Sequence, residues 1–468
     1  MFEHCKPEEL NVNSRGIIQF LDEMKEKKLH LHNLMILRHG KVICETSFAP
    51  WSKDRKHMLF SLTKSFTSTA MGFAVQDGLL SLDDKVIDFF PEMFTNPPCE
   101  NMQKMKVKNV LTMNTGHSIE PRMQGENWER NFLHSYVDHE PGTHFIYNTT
   151  GTYMLSAIIQ RATGKKTLDY LREKLFVPLG MSDDIWAEES PTGVMTGGHG
   201  LNVRIEDIAK LGQFLLQKGK WNGKQLLNEQ WIKDAQTPWS DNSHWTGGPD
   251  WNSGYGYQFW MCSAKNVFRG DGACGQFCVV CPDQDMVIAI NSGVQDMAAI
   301  LRSIWDNVLP GVDQAGDGDS DALAERLKAT DTPADWEDNG EEASAPAVEK
   351  SWVGKYRLNK DNALGLDMFE MAEDCAYFYD TTGRKSRIPL CLDTWQHILL
   401  KPEGNNEESY RSAAAVRAAR VGGDLVIHLC YTNTPFEDIL RISFSEHGLV
   451  IDNKKNVGRG SEIIGYKL

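Results

Sequence analysis

The chain has 468 residues, 41% hydrophobic and 24% charged, a balance typical of a globular protein in a length that exceeds one ordinary core and points to two domains. A net charge of −15 argues against a nucleic-acid partner, which needs Lys and Arg against phosphates, and against an anionic membrane surface. The N-terminal MFEHCKPEELNVNSRG lacks the apolar core of a signal peptide, and no apolar run approaches the roughly 18 residues of a membrane span, so the expected location is cytoplasmic.

Along the chain, ILRHGKVICETSF from Ile36 reads as a β-hairpin with its turn at His39-Gly40. LFSLTKSFTSTAMGFAVQDG follows as a helix ending at Gly78, where glycine suits a left-handed cap. Helical patterns recur at Val107–Met113, Tyr153–Arg161, Leu168–Leu175 and Ile205–Gln217. After Gly254, YGYQFWMCS, FRGDGACGQFCVVCP and MVIAINSG read as strands, with AAILRSIWDNVL as a closing helix. A sheet built from both ends with helices inserted between them makes residues 1–312 an α+β domain. Residues 313–350, rich in Asp, Glu, Ala, Gly and Pro, read as an acidic, flexible, solvated linker with room for one short helix. From 351 to 468, short apolar runs from SWVGKYRL to LVIDNK at regular spacing imply an all-β sandwich or barrel.

Ser61 and Lys64 stand three apart, hence on one helix face, where the amine can serve the hydroxyl as a base once desolvation has lowered its pKa. Short motifs of this kind also arise by chance, and Ser61 equally suits a helix N-cap. Tyr147, between a Pro-Gly turn and a helix in PGTHFIYNTTG, is placed to project a phenol into a cleft; a phenolate of depressed pKa beside a lysine would shuttle protons. In FRGDGACGQF, Gly270, Gly272 and Gly275 imply close backbone approach on an edge strand, with a tight turn as the plain alternative. Ten cysteines run from Cys5 to Cys430 and read as reduced, mostly buried thiols. Cys274, Cys278 and Cys281 have the spacing of an iron–sulfur motif, but on an apolar strand Cys278 and Cys281 point to opposite faces. His117 and His199 lack partners at metal-ligand spacing, so neither a metal nor a cofactor is expected.

Taken in order, HMLFSLTKSFTSTAMGFAVQDGLLSLDDKVIDFFPE, PGTHFIYNTTGTYMLSAIIQRATG, GGHGLNVRIEDIAKLGQFLL and the glycine strand resemble the serine β-lactamase-related and penicillin-binding-protein-like hydrolases, over roughly Ile17 to Val312. The resemblance implies a β-lactamase/transpeptidase-like domain, an antiparallel sheet flanked by helices. It implies Ser61 as the acylated nucleophile, Lys64 as its proton acceptor and Tyr147 as the tyrosine of the Tyr-x-Asn motif. Two departures stand out. Thr149 occupies the amide position, with Asn148 one place earlier; a threonine hydroxyl can still hydrogen-bond a substrate amide but lacks the separate carbonyl acceptor and NH₂ donor of an asparagine. Where the family has Lys-Thr-Gly or His-x-Gly, this chain has Arg269, Gly270, Asp271 and Gly272; Arg269 would hold a substrate carboxylate, Asp271 an amine. Asn148, Thr149, Arg269, Asp271 and Gly272 are therefore the candidate substrate contacts. An ester, amide or small-peptide substrate is expected ahead of efficient β-lactam hydrolysis, with a homo-oligomer left open. The alternative is a penicillin-binding-like sensor that acylates without turnover. The C-terminal domain, through WVGKY at Trp352–Tyr356, resembles the lipocalin-like appendages of some esterase and aminopeptidase members.

Overall fold

The computed structural model describes residues 2–328, 330–400 and 413–468. A six-stranded antiparallel sheet lies at its centre, in the order Lys41–Ser47, Leu31–Arg38, Met286–Ser292, Gln276–Cys281, Phe268–Gly272, Trp260–Met261. Both chain ends thus contribute strands, and the helices fill the long excursion between them. The expected hairpin is present from Leu31, its turn made by His39 (φ +50°) and Gly40 (φ +73°), two left-handed residues that match the twist of the flanking strands. The period-2 alternation of the strands sorts side chains between two cores: Cys278, Val280, Val287 and Ala289 face the larger core, whereas Phe277, Val279, Cys281 and Ile288 face the smaller. Cys278 and Cys281 therefore do lie on opposite faces.

The helices Thr63–Gln76, Thr149–Thr163 and Ile205–Leu216 pack on the larger core. The first is buried almost all round, which its Thr, Ser, Ala and Gly content permits; Gly72 lies so close to the Trp231 indole that a Cβ would sit 2.5 Å from it. Helix Ser14–Glu26 closes the smaller core together with Met297–Ser303. FRGDGACGQFCVVCP is two strands and not one: Cys274 (φ +65°) and Gly275 (φ +85°) turn the chain between them. YGYQFWMCS is mostly irregular and keeps only Trp260–Met261 as strand.

The C-terminal part forms a second sheet, a curled antiparallel one whose strands run in the order Ala413–Val421, Asp424–Tyr431, Glu437–Phe444, Gly448–Lys455, Ser461–Lys467, Gly354–Leu358, Leu366–Met371, Cys375–Asp380, Lys385–Pro389. Strand Gln396–Leu399 flanks Ala413–Val421, and Ala418 N–H donates to Cys391 C=O, drawing the two ends of the sheet together. The sheet wraps its own core around Tyr356, Phe369, Ile427, Leu440 and Ile451. The end of the run HILLKPE lies outside the described residues. Strand Ala413–Val421 has little forewarning in its own residues, because AAAVRAARV carries low β-propensity and is held extended by neighbours on both sides.

The acidic run 313–350 departs from a free spacer. It carries two short helices, Ser320–Arg326 and Asp335–Asp338, that bury Leu323 in the smaller core and Trp336 against Ala419, Val421 and Val426 of the curled sheet. Glu337 grips Arg417 through both carboxylate oxygens at 2.6 and 2.8 Å. Among the described residues no helix is long and apolar enough to cross a membrane.

Where the two sheets' units meet, His30 lies between Asp338 (3.7 Å) and Glu437 (3.6 Å), and Glu437 also receives His428 Nε2 at 2.7 Å. Burial alone would lower the His30 pKa, but the Asp338 and Glu437 carboxylates on either side of the ring overcome it and raise it from 6.5 to about 10. His32, buried nearby, is pushed well below 6.5 and stays neutral. A raised histidine pKa stabilises the folded form fully below its unfolded value and progressively less above it. The junction is therefore expected to weaken between pH 6.5 and about 10, read as a falling melting temperature that His30→Gln makes flatter over the same range. Burial would raise the Glu437 carboxyl, yet the nearby His30 and the hydrogen bond with His428 hold it below its ordinary 4.5. It contributes with the opposite sign and loses its stabilisation only in acid.

Candidate active site

Ser61 sits in a single 3-10 turn, Phe60–Leu62, that leads directly into helix Thr63–Gln76. The residue before it, Phe60, has φ +48°, a left-handed conformation that costs a bulky side chain on the order of 1–3 kcal/mol. Surrounding backbone holds that turn in place. Leu59 N–H donates to Leu201 C=O at 3.0 Å, and Gly272 presses so closely on Leu59 that a Cβ there would stand 2.0 Å from the Leu59 carbonyl oxygen. Gly270 makes the equivalent approach to Ser65 Oγ. Gly270 and Gly272 are thus required for close approach of the strand to the turn that carries Ser61. Strand Phe268–Gly272 pairs on its outer side only as far as Arg269, leaving Gly270–Gly272 as a true edge.

Lys64 lies 1% exposed one turn below Ser61. Its Nζ is 3.0 Å from Ser61 Oγ, 2.7 Å from Gly198 C=O and 3.3 Å from Thr149 Oγ1, three neutral partners. Burial lowers its pKa from 10.5 to about 7, against the pull of the more distant Glu120 and Asp271 carboxylates. The Tyr147 ring stands 4.9 Å from Lys64 Nζ and stacks on Trp260 at 5.3 Å, with Tyr255 edge-on at 6.2 Å. Burial, reinforced by Asp271, raises the Tyr147 pKa above its ordinary value, while a hydrogen bond with Ser61 works the other way. The depressed phenolate expected from sequence is therefore not formed: the low-pKa member of this pair is the lysine, and Tyr147 is held as a phenol.

The other candidates separate into groups. Thr149, at the first turn of helix Thr149–Thr163, reaches the lysine as above. Asn148 is wholly buried and is the cap of that helix: its Oδ1 accepts from Gly151 N–H at 2.7 Å and its Nδ2 donates to Thr115 Oγ1 at 3.3 Å, so it faces the fold and not the cleft. Arg269, 0% exposed, is spent internally. Its Nε and Nη2 donate to Asp271 Oδ2 at 3.1 and 2.8 Å, Nη1 donates to Asp250 C=O at 2.7 Å, and the guanidinium lies over Trp251. The expectation that Arg269 holds a substrate carboxylate is not supported by this geometry, because the guanidinium is fully buried and all three of its nitrogens already donate within the fold. Asp271 receives both of its bonds from Arg269 on Oδ2 alone, and its carboxylate bears on Lys64 and Tyr147, so it stays at the site as a charge paired with Arg269. Removing one partner of such a buried pair strands the other charge; Arg269→Met is expected to destabilise the fold by about 3–5 kcal/mol, read from urea unfolding.

Gly198, Glu120 and an aromatic wall join the residues named from sequence. Gly198, whose carbonyl anchors Lys64, sits in GGHG; a Cβ at 198 would meet Thr149 Cγ2 at 2.6 Å, so glycine lets this loop lie against the lysine. Glu120 accepts from Thr150 N–H at 2.9 Å and places a carboxylate near the site. Trp245, Tyr255 and Trp260 cluster with Phe145 as an aromatic wall beside Tyr147. The described residues contain one His/Cys/carboxylate cluster with metal-like spacing, His428, Cys430 and Glu437. Asp335 N–H donates to His428 Nδ1 at 3.2 Å, which leaves the ring proton on Nε2 facing Glu437, so the lone pair a metal would take is absent.

A helix-flanked antiparallel sheet that presents a serine and a buried lysine at the start of its central helix is the serine β-lactamase and penicillin-binding-protein type of fold. The chain belongs to the Beta-lactamase family, whose profile matches residues 22–309. It is 22% identical over 277 residues to the 6-aminohexanoate-dimer hydrolase of Paenarthrobacter ureafaciens, an alignment covering 54% of this chain and 70% of that protein. In structure it is similar to a family VIII carboxylesterase (TM-score 0.51, 17% identity, 65% of this chain and 99% of the other). The octameric penicillin-binding protein homologue of Pyrococcus abyssi aligns with 96% of this chain and 99% of its own (TM-score 0.50, 16% identity), so the likeness extends into the C-terminal sheet.

Proposed function

We propose that the protein is a serine hydrolase that cleaves an ester, amide or small-peptide bond through an acyl-enzyme on Ser61. The observation that carries this reading is the Lys64 amine, 3.0 Å from Ser61 Oγ and brought to a pKa of about 7 by burial among neutral partners. A serine hydroxyl needs a nearby base, and a lysine that is half neutral at physiological pH is one. In the proposed cycle Lys64 takes the Ser61 proton as Oγ attacks the substrate carbonyl. Backbone N–H groups at Ser61 and on the glycine strand receive the oxyanion. Tyr147, kept as a phenol, donates its proton to the leaving group and recovers one from the Lys64 ammonium. Water then releases the acyl group by the reverse proton path.

The aromatic wall of Tyr147, Trp245, Tyr255 and Trp260 suits an apolar portion of the substrate. With Arg269 committed to Asp271, the strand offers no free guanidinium to a penicillin carboxylate, so β-lactams are expected to react slowly. Intact-protein mass spectrometry after exposure to a fluorophosphonate, and separately to a penicillin, tests the reading. A mass gain on wild type that Ser61→Ala lacks, followed by decay back to free enzyme with an ester substrate, supports a hydrolase. A lasting adduct without turnover would instead mark an acyl-binding sensor, and no adduct on folded protein would remove the nucleophile.

A further inference from the structure

The curled sheet reaches the strained turn before Ser61. The connection between strands Asp424–Tyr431 and Glu437–Phe444 is the tight loop Thr432–Phe436, and its tip lies on residues 51–60 of the hydrolase-like unit. Phe436 sets its ring edge-on to Phe60 at 5.9 Å and 87°. Asn433 C=O accepts from Met58 N–H at 2.8 Å, Thr434 C=O from Trp51 Nε1 at 3.2 Å, and Thr432 Oγ1 from Arg55 Nη1 at 3.2 Å. The three hydrogen bonds fix the tip on the segment leading to the turn, and the Phe436 ring contact ends on Phe60 itself, the left-handed residue before Ser61.

The loop that makes them is itself stiffly built. Tyr431 N–H donates to Phe436 C=O at 3.0 Å, and Phe436 N–H to Thr434 Oγ1 at 3.1 Å. Asn456 from the next hairpin clamps it, accepting from Glu437 N–H at 2.8 Å and donating to Pro435 C=O at 2.6 Å, while the same amide reaches across to Gly293 C=O at 2.9 Å. A rigid loop pressed on a strained turn is a support for that turn, since a residue held outside its preferred region persists only where its surroundings over-determine it.

We propose that the Thr432–Phe436 hairpin tip is a positioning element for the nucleophile, with Phe436 the positioning residue, acting through Phe60 on the aim of Ser61 Oγ. This inference rests on the hydrolase reading for its consequence in rate, but the support of the turn can be measured without it. Misplacing a catalytic atom by a fraction of an ångström erodes reaction rate far more than binding.

The test compares full-length wild type, Phe436→Ala and Phe436→Leu by fluorophosphonate labelling rate, by kcat and KM on a p-nitrophenyl ester, and by amide hydrogen exchange of residues 57–62. Phe436→Ala is expected to lose about tenfold in labelling rate and kcat with KM within about twofold, and to exchange faster over 57–62, while Phe436→Leu restores most of both. Unchanged labelling in folded Phe436→Ala overturns the proposal whether or not exchange rises, because the contact would then be packing alone. Should Phe436→Ala fail to fold, Thr434→Val, which removes the hydroxyl that shapes the tip, is measured in the same three ways, and slower labelling supports the proposal where unchanged labelling overturns it. If wild type itself takes no label, the hydrolase reading fails, and the exchange rates alone decide: faster exchange upholds the support of the turn, and unchanged exchange overturns it.

Discussion

Ser61→Ala is expected to abolish fluorophosphonate labelling and to lower ester hydrolysis by roughly 10⁴-fold or more, at an unchanged melting temperature. The side chain is small, and its Oγ bonds to the reacting machinery, so little packing is lost. Lys64→Met should cost a comparable factor, because the base and the nucleophile act as one unit and their effects do not add. The wild-type pH profile separates a base from an electrostatic bystander. With a pKa of about 7, the amine gains its neutral, competent form as pH rises, so the labelling rate should climb through pH 7 and then level off. A rate that falls across that interval would mean the ammonium is the active form and would reverse the assigned role.

Gly272→Ala carries the second large effect. A methyl at 272 would stand 2.0 Å from the Leu59 carbonyl oxygen and 3.1 Å from Leu62 N, both backbone atoms flanking Ser61. Neither can rotate away, so the strand and the nucleophile turn must part. Loss of at least about 100-fold in labelling rate is expected, accompanied by a lower melting temperature. At Gly270 the nearest obstacle is the Ser65 hydroxyl with the Leu62 side chain behind it, and both can shift. Gly270→Ala should therefore be the milder substitution, and an order of severity opposite to this would contradict the proposed closeness of strand and turn.

Features that depend on local spacing are legible in the sequence. The His39-Gly40 turn, the strand Met286–Ser292 and the Ser61–Lys64 pair follow from patterns a few residues long. Asn148 obeys a local rule too, though not the one a substrate contact would need: an asparagine just before a helical run is a strong capping signal, and it serves as a cap here. The remainder depends on partners distant in sequence. Nothing near Arg269 reveals that Asp250 and Trp251 will wall in its guanidinium, and nothing near Gly198 reveals a lysine 134 positions away. The acidity of 313–350 outweighs its one tryptophan in any compositional view, yet Trp336 finds a cleft on the curled sheet and with Leu323 ties the segment down. The Tyr147 pKa likewise follows from enclosure, which no motif encodes.

The central sheet takes its strands from both ends of the helical excursion, and this has a consequence for synthesis. Ser61 and Lys64 leave the ribosome more than 200 residues ahead of strands Phe268–Gly272 and Met286–Ser292. Until those strands arrive, Gly272 cannot press on the turn that carries Ser61. Domains fold as units once their chain is complete, and contacts this distant in sequence form late. On the proposed reading, the Ser61 site is therefore completed only when the late strands arrive, so its chemistry belongs to the finished domain and not to the growing chain.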